Sequence, residues 1–327
     1  MRRWCTALLL LWTAVATAHA QQVKIGMGYG FAFLPLYVCE DLKLIEKQAK
    51  AAHRDIEARF QRFAESHDLR AALAGGEIDI APFGTAPLLA AWQQWTGDSR
   101  QILVVSGISS LPLTLLSNRD GERSLTDLKS GDRIAVPTRT SPQMYLLEMQ
   151  SEKTFGKYDH LRDQIVTLSH AQAIAALTEN SGKASAYFSS PPFAEIALRA
   201  DNVHVMLTST DIIGGKSSFL ILGAPRSYIE EQPRVVDMVA KAIDEAARVI
   251  HDDPRRAAQI YLTHEPSGTL NAAMTEAIIR DVKDEFGSPV YGVQAMADFM
   301  VRRGELKAPL RSWKDVVAPA LLTSPSS

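Results

Sequence analysis

The sequence predicts an α/β protein of two lobes, each a mainly parallel sheet with helices on both faces, followed by a helical C-terminal part. Three observations carry this. Short strand-type runs alternate with helical stretches across turns of about two to six residues, the mark of β-α-β units. The same alternation restarts after residue 111, which makes a second lobe inserted into the first. From Ile229 onward the periodicity is helical only.

Met1 to Ala20 has the composition of a secretory signal. Arg2 and Arg3 give the basic start, Leu8 to Leu11 the apolar centre, and Ala18-His19-Ala20 the small-x-small site of signal peptidase. The mature chain is expected to begin at Gln21, outside the cytoplasm. No later stretch approaches the roughly 18 apolar residues of a membrane span. Cys5 falls in the signal, so Cys39 is left without an internal disulfide partner, and packing is its expected role. About 300 mature residues can bury an adequate core, most simply as two lobes. The net charge is −2, or −4 once Arg2 and Arg3 are removed. No basic run or aromatic-basic stripe points to nucleic acid.

Val23-Lys24-Ile25 alternates as a strand, and Gly26-Met27-Gly28-Tyr29-Gly30 follows as a glycine-rich turn. Tyr29 and Phe31 are candidate pocket walls, while Phe33 better fits the core at a helix start. Leu36 to Lys47 reads as one helix. Asp55 to Phe63 is the second strand, and Ser66 can cap the helix that Gly75-Gly76 ends. Ile78-Asp79-Ile80 is the third strand; after Pro82, Gly84-Thr85 opens the next helix. Gln101 to Val105 is the fourth strand. In parallel sheets ligands sit at the carboxyl ends of strands, where the turns at 28–33, 84–85 and 105–110 lie. Ser109 and Ser110 are therefore candidates too.

Leu111 to Leu116 reads as a strand crossing out of the first lobe, and Leu125 to Leu128 as a short helix. Asp132 to Leu147 then holds the most site-like stretch. Ile134-Ala135-Val136 is a strand, Pro137 ends it, and Thr138-Arg139-Thr140 bends into a helix opened by Ser141-Pro142. The free amides of Gln143 and Met144, the helix dipole and Arg139 together suit a small anionic or polar ligand. Beyond it, Asp163–Leu168, Ala184–Phe188 and Val203–Leu207 are strands, with a helix over Ala171–Thr178. The turn Ser189-Ser190-Pro191-Pro192 leads to a helix around Phe193–Leu198. Ser218 to Leu222 leads back to the first lobe. Helices are expected at 234–251, 254–262, 270–286 and 293–303, with a loose tail from Ala318.

Catalytic signatures are missing. There is no G-x-S-x-G elbow, and Gly215-Lys216-Ser217 has Thr210 where a phosphate loop needs glycine. His264-Glu265 lacks the second histidine of a zinc helix, which Pro266 would break. Binding is favoured over catalysis, with no metal and no cofactor expected.

Five segments carry a resemblance: FAFLPLYV (31–38), AALAGGEIDIAPFGTAPLLAA (71–91), SLTDLKSGDRIAVP (124–137), Met144-Tyr145, and AYFSSPPFAE (186–195). In this set the chain, from about Val23 to Leu222, resembles the periplasmic substrate-binding proteins of nitrate/taurine/alkanesulfonate-type ABC importers. The resemblance implies the two-lobe periplasmic binding protein fold, type II, with two crossover hinge strands. It divides the chain into a signal peptide (1–20), lobe 1 (21–110), lobe 2 (111–217), and a return to lobe 1 with C-terminal helices and tail (218–327). The implied ligand positions are Tyr29–Phe31 (Tyr29 and Phe31), Gly84, Thr85, Ser109, Ser110, Thr138, Arg139, Thr140, Ser141, Tyr145, Ser189 and Ser190. The implied partners are a small-molecule ligand and the permease and ATPase of an importer, with the protein acting as a monomer in the periplasm. Arg139, a charge where the family often has a small residue, and the amide-free Pro191-Pro192 turn away from simple sulfonate or nitrate toward an organic anion with an apolar or aromatic body. Two alternatives share the fold: an enzyme of the pyrimidine-precursor synthase type, and a periplasmic sensor domain.

Overall fold

Strand and helix follow one another from Gln21 much as the periodicity dictates, in a computed structural model that describes residues 21–319 and residue 321. The expected signal peptide, its cleavage after Ala20 and most of the expected tail lie outside the described residues. The elements begin with β1 (Gln21–Met27), α1 (Leu34–Leu42), α2 (Leu44–Ala51), β2 (Ile56–Arg62), α3 (Ser66–Ala74), β3 (Ala81–Phe83), α4 (Thr85–Gln94) and β4 (Ile102–Ser109). They continue through β5 (Thr114–Ser117), β6 (Ile134–Val136), α5 (Pro142–Phe155), β7 (Ile165–Thr167), α6 (His170–Thr178), β8 (Ala186–Ser189), α7 (Phe193–Ala197), β9 (His204–Thr208), α8 (Ser209–Ile213) and β10 (Leu220–Pro225). The rest is helical: α9 (Arg226–Glu231), α10 (Pro233–Asp252), α11 (Pro254–His264), α12 (Ala272–Val282) and α13 (Val293–Arg302).

Two sheets result. β1 and β2 pair in parallel, and a parallel bridge from Ile25 to Ile80 joins them to the set β3-β10-β4. β10 runs antiparallel to both its neighbours. The second sheet has the order β7-β6-β8-β5-β9, with β5 antiparallel to β8 and β9. Each sheet thus carries one antiparallel strand in a mainly parallel set.

Alternation along the strands shows how the sheets are covered, because successive side chains point to opposite faces. In β4, Leu103 and Val105 join the core built on α1, α2, α10 and α11, while Ile102 and Val104 join the core of α4 and α13. In the second sheet, Leu115, Val136 and Phe188 face α5, whereas Leu116, Ala135 and Tyr187 face α6 and α7. The core around α4, α5 and α13 is therefore shared by both sheets. Helix α10 shows why it forms: Val235, Val239, Ala242, Ile243, Ala246 and Ile250 are buried at a spacing of three and four residues. Each large apolar side chain so buried contributes about 1.5–3 kcal/mol.

Several expected boundaries move. The helix expected over 36–47 breaks at Lys43, whose φ of 50° is left-handed. The third strand is 81–83 rather than 78–80; Pro82 sits inside it, opposite Leu222, in a strand too short to need a full ladder. Residues 111–113 are not strand, since Pro112 interrupts the run, and pairing resumes at Thr114. The return strand begins at Leu220. Helix α3 starts at Ser66 itself, with Glu65 at its N-cap. Helix α12 starts at Ala272 because the Asn271 side chain caps it, accepting from the Met274 amide at 3.0 Å. Ala318 and Leu321, expected in a loose tail, are buried, and Ala318 donates its amide to the Val104 carbonyl at 2.8 Å. Cys39 is buried as expected, its thiol pushed up by burial.

The two passages between the sheets meet at Glu285. Its Oε2 accepts from Ser110 Oγ at 2.7 Å, and its Oε1 pairs with Lys216 Nζ at 2.9 Å. The C-terminal segment thus braces both crossings at one carboxylate.

Candidate functional site

A cleft of about 600 Å³ lies between residues of the two sheets. On one side are the turn after β1, with Gly28, Tyr29 and Phe33, then Phe63 at the end of β2, Arg70 of α3, Phe83-Gly84 after β3, and Phe219 before β10. On the other are Thr138, Thr140, Ser141, Pro142 and Tyr145, from the turn after β6 and the start of α5. Most of these lie at carboxyl ends of strands, where an α/β sheet leaves room for a ligand. Among the described residues, the only charged ones in the lining are Glu65 and Arg70.

The turn after β1 is fixed from behind. Gly30 takes φ 106°, a conformation L side chains rarely adopt. Its N–H donates to Glu265, just past the end of α11. The same carboxylate accepts from Tyr37 Oη at 2.5 Å and Tyr261 Oη at 3.1 Å. Burial, and then Glu265 itself, push the Tyr37 hydroxyl up, so it stays a donor. His264 stacks on the Tyr37 ring, centroids 4.7 Å apart, and its Nε2 meets Asp41 Oδ1 at 2.8 Å. With the Gly30 amide held by Glu265, the turn leaves Tyr29 54% exposed.

The start of α5 is capped as its sequence predicts. Ser141 Oγ accepts from the Met144 amide at 3.3 Å and donates to the Thr138 carbonyl at 2.9 Å. The Ser141 carbonyl accepts the Tyr145 amide at 3.3 Å, and Pro142 has no N–H. Of the helix-start amides, that of Gln143 is left over. Tyr145 Oη reaches Glu305 Oε2 at 2.9 Å.

The structure therefore brings Tyr29, Gly84, Thr138, Thr140, Ser141 and Tyr145 together in the cleft. It places the other expected positions elsewhere. Arg139 is exposed and points away: its Nη2 donates to the Ile165 carbonyl at 3.2 Å, which β7 offers beside β6. Phe31, the expected wall, is buried edge-on against Tyr261 at 4.3 Å, while Phe33, the expected core residue, lines the cleft. Thr85 is buried and donates to the Ser218 carbonyl at 3.1 Å. Ser109 is buried in β4, bridging to Phe286, and Ser110 is held by Glu285. Ser189, the last residue of β8, and Ser190 after it are buried; from α6, His170 stacks on Phe193 at 4.0 Å. Burial lowers that histidine to about 4, so it is neutral at pH 7.

Phe63, Phe83, Phe219 and Arg70 were not among the expected positions. Phe63 had a usable signal, since it ends a strand of the parallel set. Phe219 had none, because the run around it reads simply as strand.

A profile of the NMT1-like family matches residues 17–262. The chain belongs to the NMT1-like family. Among curated proteins, none matches it in sequence. Solved structures do match in shape. The periplasmic aliphatic sulphonate binding protein of Escherichia coli superposes with a TM-score of 0.70 at 19% identity, covering 91% of this chain and 99% of that one. The alkanesulfonate-binding protein of Xanthomonas axonopodis pv. citri, bound to MOPS, gives 0.67 at 22% identity, covering 93% and 98%. The periplasmic nitrate-binding protein of Synechocystis PCC 6803 gives 0.64 at 15% identity, covering 93% and 87%. At these identities the likeness is one of fold. This member of the NMT1-like family has the two-lobe periplasmic binding protein fold, and these structural neighbours are named as binding proteins.

Proposed function

We propose that this chain is an extracytoplasmic solute-binding protein that captures a small organic anion, a sulfonate or carboxylate, and delivers it to an ABC importer. The observation that carries this reading is the cleft itself, walled by rings on one side and hydroxyls on the other, with each side supplied by a different sheet. Such a volume fits one small organic molecule. The described lining holds no histidine, cysteine or lysine, and Ser141 Oγ is engaged in capping, which supports binding over catalysis.

In this reading the segments 21–110 and 218 onward form one body and 111–217 the other, closing by rotation about the two crossings. The protein works as a monomer in the periplasm after cleavage behind Ala20, and the closed form is what the permease and its ATPase receive. Among the described residues no helix is long and apolar enough to cross a membrane.

Native mass spectrometry on protein recovered from the periplasm of an expressing cell tests this. The reading expects a chain beginning at Gln21 and carrying one small organic anion per copy. An intact Met1 form confined to the cytoplasm would contradict it.

A further inference from the structure

We infer that Arg70 is the residue that recognises the charge of the ligand, and that the ligand is a ring-bearing organic monoanion. This rests on the solute-binding reading above and names the chemistry of the same cleft.

Several groups that could hold an anion are committed elsewhere. Arg139 donates to the Ile165 carbonyl. The Gly30 amide, which the glycine-rich turn would offer, is taken by Glu265. At the start of α5, Ser141 holds the amides of Met144 and Tyr145, and proline removes another. Backbone recognition of a bare anion needs several convergent N–H groups, and the start of α5 and the Gly30 turn have given up most of theirs. Arg70 remains: it is the one cation in the lining, exposed, and among the described residues in no ion pair. A guanidinium suits a carboxylate or sulfonate because its fork of donors matches two oxygens.

The rest of the lining sets the body of the ligand. Tyr29, Phe33, Phe63, Phe83, Phe219 and Tyr145 give flat apolar faces. A nitrate- or taurine-sized ligand would leave most of the roughly 600 Å³ cleft and its rings unused. With one arginine and one glutamate, Glu65, the described lining carries no net charge, so a second negative charge on the ligand would go uncompensated.

The test is calorimetry with a set of probes: benzenesulfonate, benzoate and naphthalenesulfonate, against nitrate, taurine and the uncharged benzyl alcohol. The inference expects the ring-bearing acids to bind, nitrate and taurine to bind far more weakly, and benzyl alcohol to bind at least tenfold more weakly than benzenesulfonate. Arg70→Ala should weaken the acids by about ten- to a hundredfold, with Arg70→Lys between it and wild type, and the melting temperature of the unliganded protein unchanged. Equal affinity of wild type and Arg70→Ala for the acids would overturn the role of Arg70. Tight nitrate or taurine with no ring-bearing acid would overturn the ligand class and leave the solute-binding reading standing. If no probe of any kind bound, both would fall.

Discussion

Tyr145 Oη donates to Glu305 Oε2 at 2.9 Å, tying a cleft-lining ring of α5 to the chain that follows α13. The bond crosses between the second sheet's first long helix and the C-terminal part, and Arg303 reinforces it by pairing with Glu148 Oε2, also at 2.9 Å. Burial and Glu305 push the Tyr145 hydroxyl up to about 12, so it is a donor throughout the neutral range. Tyr145→Phe keeps the ring and deletes the bond. It should lower stability by about 1.5 kcal/mol, read from urea unfolding, with the affinity for a ring-bearing acid nearly unchanged.

Glu148 gives a pH dependence. Burial is the main cause that pushes its carboxyl up to about 7; Arg303 opposes the shift and Glu305 adds to it. The unfolded chain's glutamate titrates near about 4.3, so the folded state holds this proton more tightly between there and pH 7. Stability should fall as pH rises through that window. His170, lowered to about 4 by burial, acts in the other direction, losing stability as pH falls from about 6.5. Melting curves of Glu148→Gln should therefore gain on wild type from pH 5 to pH 8. A difference that stays constant with pH would contradict the assignment to Glu148.

The node at Glu265 is worth more than a single bond. Removing its carboxylate orphans the Gly30 amide and the Tyr261 hydroxyl, and leaves the Tyr37 hydroxyl only the Gly28 carbonyl, 3.0 Å away. Glu265→Ala should cost about 3 kcal/mol, and Tyr261→Phe, which removes one bond, about 1 kcal/mol. Chemical denaturation of both variants checks the ratio. Loss of the turn that carries Tyr29 should also weaken binding in Glu265→Ala more than in Tyr261→Phe.

Gly84 marks where the two lobes touch. A Cβ added there would lie 3.0 Å from Cγ of Pro142, across the cleft. Its backbone, φ −70° and ψ 158°, accepts any residue. Gly84→Val should therefore fold normally yet hold the lobes apart, weakening benzenesulfonate by about tenfold or more in calorimetry. Unchanged affinity would mean that closure does not bring these residues together.

The fold was legible because its signals are local. Strand runs such as Ile134–Val136, the Ser141-Pro142 helix start and the amphipathic stripe of α10 each depend on neighbours in sequence. Six of the thirteen expected positions fall in the candidate cleft for the same reason, since strand ends face it. Arg139 misleads because its destination, the Ile165 carbonyl, depends on which strand lies beside β6, and spacing does not reveal that. Phe31 and Phe33 exchange roles because Tyr261, more than 200 residues away, takes the Phe31 ring into the core. Glu265 reads as a failed metal motif; its partners Gly30 and Tyr37 lie in the turn after β1 and on α1, and only tertiary structure joins them.

Capture of a ligand between two lobes that close on it makes the molecule more compact. Small-angle scattering of the wild-type protein, with and without a ring-bearing acid that raises its melting temperature, tests this most directly. A smaller radius of gyration is expected with the ligand bound. An identical radius in both states, at saturating ligand, would contradict it.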